Sequence, residues 1–196
     1  NTTAPIQLVP GSIEADWHRH SNGGGWVYKS ATVADSSYVG PDAVVSGNVW
    51  VYGHAQVSGR ACVRGNAQVS GRALVYDAVG IDDNSVVTDN ARIFGDCPYG
   101  IVNLFDDARV FGNAEVSGDT LVSGNARVYG HAKVYHSAQI TGKAWVYGKA
   151  KIYEDAVVTG NARVGGNAKI YEVAKVTGNA VVSGNTVVSG FTIVKE

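Results

Sequence analysis

The chain has 196 residues, 16 Lys and Arg against 17 Asp and Glu, 25 Gly, two Cys and no Met. Its length fits one domain; 45% hydrophobic with 17% charged content is too apolar for disorder, and no apolar run approaches the roughly 18 residues needed to enter and span a bilayer, so no membrane insertion is expected. A formal charge of −1 argues against a general nucleic-acid binder, which neutralises phosphates with a basic excess, and two Cys cannot make a disulfide framework.

Residues 1–26 carry no periodic beat and contain Pro5, Pro10, Trp17, His18, His20 and the run Gly23, Gly24, Gly25. From Val27 onward an aliphatic residue returns every six positions, through Val33, Val39 and Val45 to Ile93, and again from Leu104 through Val110 and Val116 to Val194. The step from Ile93 to Leu104 is six plus five, so Cys97 to Ile101 reads as a short insertion at 97–101 in an otherwise continuous repeat.

Two positions before most beats stands a small residue, as at Ala55, Ala61, Ala126 and Ala132. Strand side chains alternate, so the small residue and the aliphatic one share a face and the residue between them points outward. Gly and Asn follow at the second and third positions after the beat, as in Gly47-Asn48 and Gly124-Asn125. That is the chemistry of a tight corner with positive φ. A six-residue beat keeps no helical face, and three-residue strands bury too little to stand as hairpins, which leaves a solenoid of stacked coils.

The number of walls follows from the outward positions. Phe111, Tyr129 and Tyr147 are spaced by 18, as are Tyr135, Tyr153 and Tyr171, and Thr141, Thr159 and Thr177. Three interleaved columns mean a triangular coil of 18 residues, and about nine coils at the strand spacing make a prism on the order of 45 Å long. Residues 27–196 form this body, and 1–26 are expected to cap its first coil, because a bare end exposes unpaired strand edges. A docking site using His18 and His20 is the alternative for the leader. At the other end Phe191 is expected to fill a corner.

The repeated Ala-x-Val-x-Gly-Asn is similar to the hexapeptide repeat of left-handed parallel β-helices. With Gly two after the beat and the leader Gly24-Gly25-Trp26, it looks closest to the YdcK-like branch. The resemblance covers about residues 24–196 and implies an all-β, single-stranded, left-handed parallel β-helix. Handedness comes from the resemblance alone, since parallel crossovers are right-handed in about 98% of cases.

Charge is uneven beneath the neutral total. Residues 1–76 hold five bases and four acids, 77–119 two and nine, and 121–196 nine and four. Hexapeptide-repeat acyltransferases, as the resemblance implies, are trimers with a histidine near an extended loop. The insertion Cys97-Pro98-Tyr99-Gly100-Ile101 has no His and is short for that task. His131 and His136 have a spacing that resembles the zinc pair of γ-class carbonic anhydrases, but they fall at different corner phases, and His54 is four coils away. Zinc needs three or four ligands.

In the acidic middle, Asp82 and Asp83 are expected one coil below Asp106 and Asp107, and Asp96 one coil below Asp119. Stacked carboxylates repel unless a cation intervenes, and calcium would suit Asp83, Asp106 and Asp107 as an oxygen-seeking ion. The absence of a calcium-loop motif favours the plainer reading, in which water and Arg64, one coil below Asp82, relieve the strain. Cys97 falls at an inward small position and Cys62 points outward two coils away, too far for a disulfide.

The basic third holds the strongest candidate. Lys133, Lys151 and Lys169 form one outward column beside Tyr135, Tyr153 and Tyr171, and Arg109, Arg127, Trp145 and Arg163 run beside Phe111, Tyr129 and Tyr147. Rings that stack on sugar faces, with cations that pair with carboxylate or sulfate, suit an extended acidic polysaccharide. The plainer reading is that like residues stack in any solenoid and stabilise the sheet alone. The Thr column is too narrow for an ice-binding face.

The sequence therefore points to a non-enzymatic module that binds an acidic polysaccharide or partner surface. It would belong to a larger secreted or surface protein and work beside other domains. A purely structural spacer or stalk and an acyltransferase-like trimer are the alternatives.

Overall fold

The computed structural model describes residues 3–95 and 100–196, and nearly all its regular structure is strands of two to four residues. Each strand is short because only the outward residue and the aliphatic beat lie flat between corners, as in Lys133–Val134, Trp145–Val146 and Lys151–Ile152. The strands fall on three walls of 11, 9 and 9, and apart from the leader strand Trp17–Arg19, which adds to the end of wall one, each pairs with the one three places along the chain. Within the repeating body wall one begins with Trp26–Tyr28, wall two with Thr32–Val33 and wall three with Tyr38–Val39. The body is a parallel β-solenoid of about nine turns.

The register gives the period directly. Val39 pairs with Val57, Val128 with Val146 and Val134 with Ile152, each 18 residues on. Across the insertion, Ile81 pairs with Leu104, Val87 with Val110 and Ile93 with Val116, each 23 residues on. The return therefore lengthens by five residues there while the walls keep their phase. Cys97, Pro98 and Tyr99 of that insertion, together with Asp96, lie outside the described residues, so the expected inward place of Cys97 and the stacking of Asp96 under Asp119 do too.

The interior is one stack of small and aliphatic side chains. Ala126, Val128, Ala132, Val134, Ala138 and Ile140 make one coil's lining, all fully buried, and the pattern recurs from Ala43 to Val182. A small residue, most often Ala, two before the beat lets the three walls converge closely, while the β-branched beat fills the centre. Outward N–H groups donate to carbonyls one coil on, as Lys133 does to Ala150 and Trp145 to Ala162, which satisfies the backbone along the walls, while the buried Ser37 and Ser85 hydroxyls have no partner.

The corners take the left-handed backbone. Gly142 sits at φ 68°, and a Cβ there would stand 3.0 Å from the amide nitrogen of Gly160 in the next coil. Where glycine is missing the same conformation is held by Asp77, Asp83, Asp89, Asp106, His136, Glu154 and Glu172.

The leader closes part of the first coil. Trp17–Arg19 pairs antiparallel with Trp26–Tyr28 at the edge of wall one. Residues 22–25 lie against the edge of wall three: the Val39 amide donates to the Asn22 carbonyl, and the Gly25 amide donates to the Val39 carbonyl. A Cβ at Gly25 would collide with the Val39 side chain and the Gly40 carbonyl, which accounts for glycine there. His20 is buried, with Nε2 3.1 Å from the Ser37 carbonyl, so it serves the leader's packing; His18 is exposed. Lys29 bonds Asp16 at 2.7 Å and ties the leader to the body.

Phe191 does not fill a corner. It is 93% exposed, because it follows the positive-φ Gly190 and its side chain projects outward from the turn.

Ile152 is buried completely at the centre of the stack. Ile152→Val is expected to cost about 0.5–1.5 kcal/mol and Ile152→Ala about 2–5 kcal/mol, read by equilibrium urea unfolding. Equal midpoints for all three chains would contradict a close-packed interior at this level.

Candidate ligand-binding face

The two outward columns of wall three lie side by side in the structure. Lys133 pairs with Lys151 and Lys151 with Lys169 in register. Tyr135 and Tyr153 stack with centroids 5.0 Å apart and planes 2° apart, and Tyr153 and Tyr171 do so at 4.9 Å and 6°. Below this run the Lys column gives way to Glu115, whose carboxylate takes the Lys133 ammonium at 3.3 Å.

Wall two carries the second pair of columns. Arg109, Arg127, Trp145 and Arg163 are consecutive in register. Trp145 is held between two guanidiniums, Arg127 at 5.1 Å and Arg163 at 4.9 Å from the ring centroid. Phe111 stacks on Tyr129 at 4.9 Å, and Tyr129 on Tyr147 at 5.5 Å. The ladder stops at Gly165, where a side chain would occupy the space taken by the Tyr147 ring.

The corner joining these walls separates Tyr129 from Lys133 by only three residues, Gly130, His131 and Ala132. Across three coils the segments 127–133, 145–151 and 163–169 contain Arg127, Lys133, Lys149, Lys151, Arg163 and Lys169 and no Asp or Glu. On the far side of wall three the Tyr column borders Glu154, Asp155 and Glu172. The Tyr135–Tyr153–Tyr171 ladder is thus basic on one flank and acidic on the other, a division that the column reading did not include.

The acidic middle is organised by the backbone. Across the insertion Asp83 stacks under Asp106 and Asn84 under Asp107, while Asp82 stacks under Phe105, so the expected pairing of Asp82 with Asp106 is off by one residue. The reason is the 23-residue return. Asp83 accepts the Asp106 N–H at 3.1 Å, Asp106 accepts the Gly124 N–H at 3.0 Å, and Asp89 accepts the Gly112 N–H at 2.9 Å. Glu154 accepts the Glu172 N–H at 2.7 Å by the same geometry. Asp82 is paired with Arg64 at 2.6 Å. Among the described residues no three His, Cys, Asp or Glu converge to hold a metal ion. The signal for this role was in the sequence: these acids stand at the second position after the beat, the place otherwise taken by Gly.

His131 and His136 are both exposed on different corners. Cys62 is half-buried, and burial pushes its thiol above the ordinary range, which keeps it in the unreactive protonated form. Thr141 donates to Thr159 at 2.8 Å within the Thr column.

Residues 67–81 match the family described as YdcK Beta solenoid repeat. No curated protein matches the chain. The matched stretch runs from Ala67 through two corners to Ile81, and the same wall, corner and interior pattern extends through the remaining turns.

Burial raises the phenol pKa of Tyr129, Tyr135 and Tyr153, with Tyr147, Glu154 and the stacked neighbours adding repulsion to the phenolates. A phenol with a raised folded-state pKa stabilises the fold fully below its unfolded value of about 10 and loses that contribution as pH rises through the folded-state value. Titration followed at 295 nm should show these rings ionising above free tyrosine, with thermal stability falling over the same alkaline range. Ionisation of all tyrosines together at the free value would overturn the stacked geometry.

Proposed function

We propose that the solenoid is a non-enzymatic binding module for an extended acidic polysaccharide. The polymer would lie along the corner between walls two and three. The observation that carries this reading is the three-coil strip with six Lys and Arg, no carboxylate and the half-buried, stacked rings of Tyr129 and Tyr147. Cations at one-coil intervals recur at about 4.8 Å, close to the length of one extended sugar unit. A polyuronate could therefore present one carboxylate per coil. The rings supply apolar faces for sugar C–H groups, and the ammonium and guanidinium groups supply charge-assisted hydrogen bonds.

The acidic corner at Glu154, Asp155 and Glu172 repels the same polymer and confines it to one side. A chain of this kind would be met outside the cell, which fits a module of a secreted or surface protein. The rigid-spacer reading has its own support, because the rings and several charges already find partners within their columns.

Retention on a polyuronate column separates the two. Lys151→Ala combined with Tyr147→Ala is expected to elute at clearly lower salt than the parent chain, with an unchanged far-ultraviolet circular dichroism spectrum. Lys151→Ala with Tyr153→Ala should lose the charge share of that shift and less of the ring share. Equal elution of the parent and the first variant would leave the spacer reading in possession.

A further inference from the structure

One aromatic column is interrupted, and the interruption is a slot. On wall three the residues just after the beat run Tyr76, Phe94, Ser117, Tyr135, Tyr153 and Tyr171, one per coil. Tyr76 and Phe94 stack at 5.0 Å with planes 7° apart, and Tyr135, Tyr153 and Tyr171 form the second stack. Between the two stacks stands Ser117, which pairs in register with Phe94 and carries no ring. A cavity of about 470 Å³ opens there, lined by Phe94, Ser117, Tyr135 and His136 with Glu115, Lys133 and Lys151 at its rim.

The size of the slot follows from the ladders. Each step of 4.9 to 5.0 Å between ring centroids holds rings lying within 7° of parallel. From Phe94 to Tyr135 is two steps, about 10 Å at the strand spacing. One further flat ring at the level of Ser117 completes a continuous stack at the spacing that the column already uses. A pyranose chair is puckered and carries hydrogens above and below its mean plane, so it fits this double-sided gap less well than a flat ring.

Charge completes the specification. Glu115 is paired with Lys133, Lys151 has no ion pair among the described residues, and His136 stands edge-on to Tyr135 at 5.0 Å. The rim therefore carries a net positive charge beside a ring-sized gap.

We propose that this slot binds a planar aromatic anion, its ring inserted between Phe94 and Tyr135 and its carboxylate turned toward Lys151. The volume lies within the range of small-molecule sites, and two ring faces with one free cation match that ligand class in shape and in sign. The site stands apart from the polymer strip, sharing only the Lys column with it.

The test uses 2-naphthoate as the probe and the full chain, with cyclohexanecarboxylate as a non-planar anion of the same charge. Saturation-transfer NMR and calorimetric titration should show saturable binding of 2-naphthoate at one equivalent and none of cyclohexanecarboxylate. Ser117→Tyr fills the gap with the missing ring. It is expected to raise the melting temperature, abolish 2-naphthoate binding and leave polyuronate retention unchanged, so the slot and the polymer strip are read separately. Phe94→Leu, which removes one ring face and keeps an apolar side chain, should weaken binding at least tenfold. Binding of 2-naphthoate by Ser117→Tyr at the parent's affinity, or equal binding of both acids by the parent, would overturn the proposal.

Discussion

The solenoid depends on one constraint at its corners. From Val45 onward the backbone turns through positive φ at the second position after nearly every beat, and a side chain begun there points at the corner amide of the coil above, as the 3.0 Å approach at Gly142 shows. Glycine satisfies this with no Cβ. Asp and Glu satisfy it differently: the carboxylate accepts the N–H that the Cβ crowds, as Asp106 does for Gly124 and Glu154 for Glu172. The gain of a charge-assisted hydrogen bond offsets the strain of a non-glycine residue in that conformation. Because successive corners from Val45 onward repeat this geometry, each coil lies over the last and the outward positions become files.

That file arrangement sets the electrostatics of the surface. Lys133, Lys151 and Lys169 stand one strand spacing apart, which is tolerable because the ammonium groups are exposed and screened by water and salt. Glu115 terminates the run at one end. Arg127 and Arg163 are kept apart by the Trp145 ring, which attracts both where another cation would repel them. A residue's neighbours on this protein are therefore the residues 18 away in sequence before they are the residues beside it in the chain.

Most of the architecture could be read from the sequence because the period of the interior is short and strict. The beat at Val128, Val134 and Ile140 places three walls, and the 18-residue return of Tyr135, Tyr153 and Tyr171 places the columns. Three features were less legible for physical reasons. The acidic flank at Glu154 and Glu172 reads as an ordinary charge pair until the columns are set side by side. Ser117 reads as an unremarkable small residue, and its meaning lies in the rings one coil below and one above it. The exposure of Phe191 follows from the direction its corner takes, which a repeat count does not supply.

The jump from an 18- to a 23-residue return has a practical corollary. Both sides of the excursion keep the same pairing, from Ile81 with Leu104 to Ile93 with Val116, so the walls sense only where the strand leaves and where it re-enters. A vertex of the prism is thus a tolerated splice point. Foreign peptides of other lengths could be carried there in a fixed orientation along a stiff shaft, with the cargo's sequence decoupled from the shaft's stability.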